Sequence, residues 1–385
     1  MFIELHLIQN FAPANLNRDD TNNPKDCEFG GYRRARISSQ SLKRAIRYEP
    51  VFAQTTKAQN GERSKWMSRP IKKGLIAAGK SEEEATAVAI AFVKAYAAKP
   101  DKKNPERASV LIYFSQTEID AIVNGLLAEW ETAVTAAKDG KSLPNLVKTL
   151  IKQTKNRTSA PDIALFGRML AEQPELNIDA ACQVAHAIST HRINMEMDFY
   201  TAVDDLQDTD SDEGAGAGMM GFTNFNSACF YRYVRLDWRQ LVKNLGDDAE
   251  AVNLARRTVE GFLRAAVDAI PTGKQNSFAA QNPTSLALAV LREDGKSWNL
   301  ANAFEEPVRA TQKSGYIRAS IRSLDSYWGD LTTRRDDASH RLVAVWTDKT
   351  EHENSLSTLR DSHHLKFSAW IQAVTGALPA AVSEE

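Results

Sequence analysis

The sequence predicts an α+β fold, because strand-like and helix-like runs are mixed along its 385 residues. Residues 2–9 and 284–292 are apolar or imperfectly alternating runs, and residues 224–236 are rich in aromatic and β-branched side chains, as strands are. Residues 82–99 and 247–269 have the composition and spacing of helices. A sheet with helices on one face satisfies this order, and a ferredoxin-like or RNA-recognition-type core is one solution among several.

The remaining elements follow from caps and periodicity. Ser38 or Ser39 is a good helix N-cap and Leu42 and Ile46 lie four residues apart, so a helix is predicted at about 39–49. Further predictions are helices at 116–137, 143–156, 317–327 and 353–374 and strand-like runs at 162–169 and 182–193. The largely helical region 55–160 is therefore predicted to be an insertion.

Composition excludes several classes of protein. Hydrophobic residues make up 43% and charged residues 25%, as in soluble globular proteins. No apolar run reaches the ~18 residues of a membrane helix, and the N-terminus lacks the features of a secretory signal. Cys27, Cys182 and Cys229 are too few and too far apart for a disulfide framework or a zinc site, so a reducing cytoplasm is expected.

The strongest local feature is a basic segment at residues 25–47, in a chain whose formal net charge is only −1. The segment carries a net +5, from Lys25, Arg33, Arg34, Arg36, Lys43, Arg44 and Arg47 against Asp26 and Glu28. Ser38 and Gln40 stand among these cations at the predicted helix start. Phosphate oxygens bind arginine forks, hydroxyls and the free N–H groups of a helix N-terminus. A solvated basic surface is the alternative interpretation, and charge alone leaves both open.

Three other segments are candidate binding elements. Lys148, Lys152 and Lys155 share one face of a predicted helix. The loop at 271–283 holds Lys274, Gln275 and Asn276, which could bond a phosphate. Residues 204–221 are acidic and then glycine-rich, match neither a P-loop nor an EF-hand, and end near the apolar Met219, Met220 and Phe222. Composition alone favours a disordered linker there.

No catalytic site, metal site or cofactor is predicted. His186 and His191 are five residues apart in a strand-like run and should point to opposite faces. Asp19 and Asp20 form the one suggestive carboxylate pair near the basic segment. Such a pair could hold a divalent ion beside a phosphate, but more often it caps a turn.

The segments LNRDD (16–20), KD (25–26) and FGGYRRARISSQSLKRAIR (29–47) together closely resemble the N-terminal signature of the CasC family. That family is the CRISPR RNA (crRNA)-binding backbone subunit of type I-E CRISPR Cascade. Five later segments resemble the same family in the same order: IALFGRM (163–169), QVAHAISTH (183–191), FYTAVDDLQ (199–207), GKQNSFAAQNP (273–283) and ANAFE (301–305). The resemblance spans nearly the whole chain, although residues 55–157 match poorly.

This resemblance implies a hand-shaped, non-catalytic RNA-binding subunit. It implies an RNA-recognition-type palm at 1–54, 158–198 and 224–385, helical fingers at 55–157 and a protruding thumb at 199–223. Copies would stack along the crRNA in a filament, with each thumb displacing one base at a regular interval while the other bases pair with target DNA. The other partners implied are the large, small, guide-5′-end and guide-processing subunits of Cascade, with no membrane.

The resemblance also implies which residues bind the guide. The RNA-gripping motif would contain Arg18, Lys25, Arg34, Arg36, Ser38, Gln40, Lys43, Arg44 and Arg47. Arg168 and Met169 match an element that contacts the displaced nucleotide, and Lys274, Gln275 and Asn276 extend the backbone contacts. The wedge of the thumb would be Met219, Met220 or Phe222. The alternative function is a metal-dependent ribonuclease of the type III backbone kind, which would use Asp19 or Asp20.

Overall fold

The computed structural model describes residues 1–96, 101, 103–143, 145–149, 157–170, 173–202, 219–293, 296–312 and 314–380. The chain divides into two compact units. The first unit contains Met1–Glu49, Val184–Arg235 and Leu263–Ala377, and the second contains Pro50–Gln183, Leu236–Phe262 and Leu378–Glu385. Within the described ranges, no helix is long and apolar enough to cross a membrane.

The strands form a large sheet and a small one. In chain order they are β1 (Phe2–Ala14), β2 (Asp26–Phe29), β3 (Tyr32–Ile37), β4 (Glu62–Ser64), β5 (Ile112–Phe114), β6 (Cys182–Val184), β7 (Ala187–Ser189), β8 (Glu196–Ala202), β9 (Met219–Asp237), β10 (Thr284–Arg292) and β11 (His340–Thr347). The large sheet has the order β11-β10-β1-β9-β7-β3-β2, and β8 pairs with β9 beside this path. In the second unit, β4 pairs with β5.

The described α-helices, in chain order, are α1 (Ser39–Tyr48), α2 (Pro50–Thr56), α3 (Ser68–Ala77), α4 (Glu82–Tyr96), α5 (Gln116–Ala128), α6 (Trp130–Lys138), α7 (Pro161–Phe166), α8 (Trp238–Leu245), α9 (Ala249–Asp268), α10 (Gln275–Phe278), α11 (Tyr316–Arg334), α12 (Thr350–Glu353) and α13 (Phe367–Gly376). Short 3₁₀ turns occur at Pro174–Leu176, Leu300–Phe304 and Arg360–Ser362. The mixture of helices with a large antiparallel sheet confirms the predicted α+β class.

The core of the first unit is built on the central strands of the large sheet. β1 and β10 pair antiparallel from Phe2 opposite Arg292 to Gln9 opposite Thr284, and every residue of β10 is buried. Apolar side chains of these strands pack with Leu324 and Trp328 of α11. Because both faces of β10 are covered, its sequence is continuously apolar rather than alternating.

The core of the second unit is helical. Its apolar cluster is built from α3, α4, α5 and α6, with Ile71, Phe92 and Leu126 among its fully buried side chains. Residues 145–149 of the predicted 143–156 helix form a further short helical segment, and residues 144 and 150–156 lie outside the described residues. The predicted 116–137 helix is two helices that meet at Glu129.

Two predicted elements are wrong. Residues 162–169 were expected to be a strand, but α7 begins with Pro161 at its first turn and ends at Gly167, whose φ is +77°. Proline suits a first helical turn and glycine suits a left-handed stop, so local chemistry favours this helix. Residues 353–374 were expected to be one helix. Instead the Asp325 carboxylate accepts hydrogen bonds from the backbone N–H groups of Ser357, Thr358 and Leu359, and α13 begins only at Phe367.

Candidate nucleic-acid interface

The N-terminus of α1 is fixed by a cap. Ser38 follows β3, and its hydroxyl accepts a hydrogen bond from the Ser41 N–H at 3.3 Å. The Ser38 N–H donates to the Asn17 side-chain oxygen at 2.8 Å. Ser38 is itself buried. Its structural role is therefore that of an N-cap, which holds the start of α1 against the loop that follows β1.

The outward residues of α1 carry most of the predicted RNA-gripping set. Leu42 and Ile46 are buried against the sheet. Their burial leaves Gln40 and Arg44 exposed, while Lys43 and Arg47 are half-buried. The amphipathic spacing read from the sequence thus presents cations on the outward side of the helix.

A cleft of about 340 Å³ lies beside α1, and we call it the α1 cleft. Its lining comes from three separate segments of the first unit: Leu16, Asn17, Arg18, Asp19 and Asn22; Ser41, Arg44 and Ala45; and Pro271, Thr272 and Gly273. Two predicted elements, the basic segment and the 271–283 loop, are therefore brought together. The guanidinium of Arg18 donates to the Asn22 side-chain oxygen at 3.1 Å and remains exposed.

Asp19 organises the loop that forms one wall of the α1 cleft. Its Oδ1 accepts hydrogen bonds from the Thr21 hydroxyl at 2.8 Å and from the Thr21 and Asn23 N–H groups at 2.9 Å each. The Thr21 hydroxyl, followed by these N–H groups and the nearby Lys25, lowers the pKa of Asp19. These bonds match the turn-capping interpretation of the aspartate pair. The described residues also contain no group of three His, Cys, Asp or Glu side chains placed to hold a metal ion.

Gly273 allows the 271–283 loop to approach the loop after β1. A Cβ at this position would lie 2.2 Å from the Leu16 carbonyl oxygen, which is a backbone atom and cannot rotate away. The close approach of these two backbones therefore requires glycine and closes one side of the α1 cleft.

Gly273→Ala is expected to lower the free energy of unfolding by about 1–3 kcal/mol, the usual cost of forcing an extra methyl into a packed contact. Urea unfolding followed by circular dichroism measures the change. Gly376→Ala is the matched control, because a Cβ there meets nothing within 4 Å. Equal stability of the two variants would contradict the close contact.

Two hydrogen bonds fix the position of the Arg36 guanidinium. Its guanidinium donates to the Asp26 carbonyl at 3.1 Å and lies 2.9 Å from His186 Nδ1. Burial, together with Arg36 and Lys25, lowers the pKa of His186, so the neutral ring accepts this hydrogen bond. His186 and His191 are not brought together as ligands: His191 Nε2 accepts the Cys229 N–H instead.

Two predicted RNA-binding arginines, Arg34 and Arg168, are buried and hydrogen-bonded within the fold. Arg34 donates to the carbonyl oxygens of Phe29, Ser189, Phe304 and Glu305. Arg168 donates to the Leu176 and Tyr113 carbonyls and forms an ion pair with Glu118 at 2.6 Å. Their guanidinium groups bind partners within the fold, so the structure gives both side chains a structural role. Met169, by contrast, is 83% exposed.

The remaining residues of the 271–283 loop have mixed environments. Lys274 is half-buried with a left-handed backbone, at the start of α10. The Gln275 amide donates to the Pro271 carbonyl at 3.0 Å, which stiffens the loop. Asn276 is exposed. Lys152 and Lys155 of the second basic stretch lie outside the described residues.

Part of the predicted thumb is a β-hairpin. β8 pairs with the first part of β9, with Phe199 opposite Phe222 and Thr201 opposite Met220. All of β8 is exposed. Residues 203–218, which include the acidic and glycine-rich run, lie outside the described residues. Composition alone favours a disordered linker over 204–221. The described part of that segment, residues 219–221, belongs to strand β9 instead.

The two faces of this hairpin differ. Met197, Phe199, Met220 and Phe222 share one face by the pairing register, and all four are exposed. Met219 lies on the opposite face with Tyr200, whose ring packs over Gly221. Sequence reasoning missed Met197 and Phe199, although their alternation in 196–202 was a signal that could have found them.

A family model and two solved structures match nearly the whole chain. The family model described as CT1975-like protein matches residues 3–373. A chain from a solved structure titled "CRISPR RNA-guided surveillance complex, pre-nicking" is 30% identical with a TM-score of 0.84, over 98% of this chain and 100% of that chain. Another, from a "CRISPR RNA-guided surveillance complex", is 26% identical with a TM-score of 0.61, over 98% and 99%. No curated protein matches.

Proposed function

The chain belongs to the CT1975-like protein family, and we propose that it is the repeating backbone subunit of a type I-E CRISPR Cascade, of the CasC kind. In this proposal several copies bind one crRNA and hold it for pairing with target DNA. Its similarity to chains of CRISPR RNA-guided surveillance complexes supports a role of the Cascade type. The proposed partners are the crRNA, copies of the chain itself and the other Cascade subunits.

The observation that carries the proposal is the α1 cleft. Arg18 and Arg44 are exposed at its wall, and neither forms an ion pair within the described residues. Ser41 adds a hydroxyl and the capped start of α1 adds oriented N–H groups. These donors suit phosphate and sugar oxygens. A subunit that must accept any guide sequence needs contacts of this kind, since base pairing supplies the specificity.

The hairpin of β8 and β9 is proposed to be part of the thumb. We assign the wedge to Met220 and Phe222 rather than to Met219, because these two lie on the same exposed apolar face as Phe199. Inserting an apolar side chain between bases costs a few kcal/mol per step, which contacts to the RNA backbone offset. The fingers are proposed to be residues 55–157, which lie within the second unit.

The subunit is proposed to be non-catalytic. The ribonuclease alternative would use Asp19 or Asp20. Asp19 Oδ1, however, already accepts three hydrogen bonds from groups in its own loop. No observation favours that alternative.

Replacing Arg18 and Arg44 together with alanine is expected to weaken binding of guide RNA equally for all spacer sequences. It should also reduce the dependence of log affinity on log salt by roughly 0.7 per lost phosphate contact. Binding of labelled crRNA measured over a range of salt concentrations tests both effects.

Arg341→Ala with Arg360→Ala is the matched control, because it removes two exposed arginines, at and after β11, that do not line the α1 cleft. This control should keep the affinity and the salt dependence of the wild type. Unchanged binding by the Arg18 and Arg44 variant, or a loss that depends on the spacer sequence, would refute phosphate gripping at the α1 cleft.

A further inference from the structure

A second cleft in the first unit is larger than the α1 cleft and has no assigned role. Its volume is about 1050 Å³, and its lining includes Tyr32, Arg192, Asn194, Glu306, Arg309 and Tyr316. We call it the Tyr316 cleft. Tyr32 is the first residue of β3, whereas α1 begins just after the last residue of β3. Tyr32 and the start of α1 therefore lie at opposite ends of one six-residue strand, about 20 Å apart at ~3.3 Å per residue.

The charges of the Tyr316 cleft favour an anionic ligand. Arg192 and Arg309 are exposed, and neither makes an ion pair with any residue that the structure describes. Glu306 is the one acidic side chain among the lining residues. Two guanidinium forks without carboxylate partners are suited to phosphate oxygens, which they can bind in a bidentate manner.

One aromatic side chain of this cleft, Tyr316, is held in place, and a second, Tyr32, is exposed beside it. The ring of Tyr316 stacks on His191 with centroids 3.6 Å apart and an interplanar angle of 9°. His191 is fixed in turn, because its Nε2 accepts the Cys229 N–H at 3.1 Å and its Nδ1–H therefore donates to the Arg192 carbonyl at 2.8 Å. Tyr32 is 42% exposed at the turn between β2 and β3.

Exposed or stacked aromatic rings beside arginines without ion-pair partners form the kind of surface on which single-stranded nucleic acids bind, with bases stacked and phosphates neutralised. An acidic peptide would use the arginines but would leave the ring faces without a specific ligand. We propose that the Tyr316 cleft is a second binding site for single-stranded nucleic acid, with Arg192 and Arg309 on phosphates and Tyr32 and Tyr316 against bases. The strand is either a continuation of the RNA held at the α1 cleft or the DNA that pairs with it.

The inference extends the proposed RNA-binding function and is tested beside it with the full-length protein. The test variant is Arg192→Ala with Arg309→Ala, and the control is again Arg341→Ala with Arg360→Ala. The probes are a labelled single-stranded RNA, and then a complementary single-stranded DNA added to the RNA-loaded protein. Both variants should keep the wild-type thermal midpoint, because the replaced side chains are exposed.

Loss of two charge-assisted contacts should weaken binding of one of the two strands by about tenfold or more. It should also lower the salt slope by about 0.7 per lost contact with a single strand. A loss for RNA would place the guide in both clefts, and a loss for DNA alone would place the second strand in the Tyr316 cleft. Ultraviolet cross-linking with the same strand should label peptides that contain Tyr32 or Tyr316.

Unchanged affinity for both strands would overturn the inference. So would a change in self-association alone, measured by sedimentation, because the cleft would then be a contact between copies of the chain. The Arg18 and Arg44 variant, run in the same assay, separates this inference from the proposed function. If that variant binds RNA normally while the Arg192 and Arg309 variant does not, the α1 cleft assignment fails and the Tyr316 cleft assignment stands.

Discussion

Arg168→Ala is expected to lower the free energy of unfolding by about 3–5 kcal/mol, because it leaves a buried carboxylate without its partner. The Arg168 guanidinium lies 2.6 Å from Glu118 Oε1, and the two side chains are only 2% and 8% exposed. Glu118 also closes the capping box of α5, since its other oxygen accepts the Ser115 N–H at 2.7 Å. The substitution should therefore loosen the start of α5 as well.

Urea unfolding of the purified chain, followed by circular dichroism, measures this loss. Met169→Ala is the neighbouring control and should change stability by no more than about 0.5 kcal/mol, because Met169 is exposed. Combining Arg168→Met with Glu118→Gln should recover part of the loss, since the double variant buries no charge. If the Arg168→Ala protein were as stable as the wild type and had lost only affinity for RNA, Arg168 would contact the RNA directly rather than stabilise the fold.

Arg292→Ala is expected to cost a similar amount, about 3–5 kcal/mol, in the first unit. Arg292 lies at the end of β10 with its side chain 1% exposed, and it donates to Glu4 Oε1 at 2.8 Å and to Asp337. Its guanidinium also lies 4.3 Å from the centre of the Trp298 ring. Glu4 is fully buried in the middle of the sheet, so the loss of Arg292 would leave its charge uncompensated.

The matched control for this variant is Arg341→Ala, because Arg341 pairs with Glu293 on the surface. That pair joins side chains that are 45% and 64% exposed, and surface pairs contribute about 0–1 kcal/mol. Equal losses for the two substitutions in urea unfolding would contradict a structural role for the buried pair of Arg292 and Glu4.

Local patterns were enough to predict much of the fold. The buried run of β10, the aromatic run of β9, and the periodicity of α9 and α11 depend on neighbours a few residues away, and the structure has each of them. The cap was predicted at Ser38 or Ser39 for the same reason, because a hydroxyl three residues before a free N–H acts within one turn, and the structure places it at Ser38. The concentration of positive charge in 25–47 was equally visible in the sequence.

Which cations face solvent could be decided only by the tertiary structure. Arg34 and Arg36 stand two residues apart on one strand, yet Arg34 is buried among four carbonyl oxygens while Arg36 is half-buried. The carbonyl groups of Ser189, Phe304 and Glu305 that bind Arg34 come from segments far away in the sequence, so no local pattern predicts these contacts. Glu118, the ion-pair partner that gives Arg168 its structural role, is likewise distant in the sequence, and no local pattern predicts the pair.

The two clefts are also products of the fold alone. Gly273 lies against the Leu16 carbonyl because β1 and β10 are neighbours in the sheet. Arg309 and Tyr32, which are far apart in the sequence, line one cavity. Sequence could determine which residue types are suited to phosphate, since that is a property of each side chain. Accessibility and juxtaposition are properties of packing between residues far apart in the chain, and they exist only once the sheet has formed.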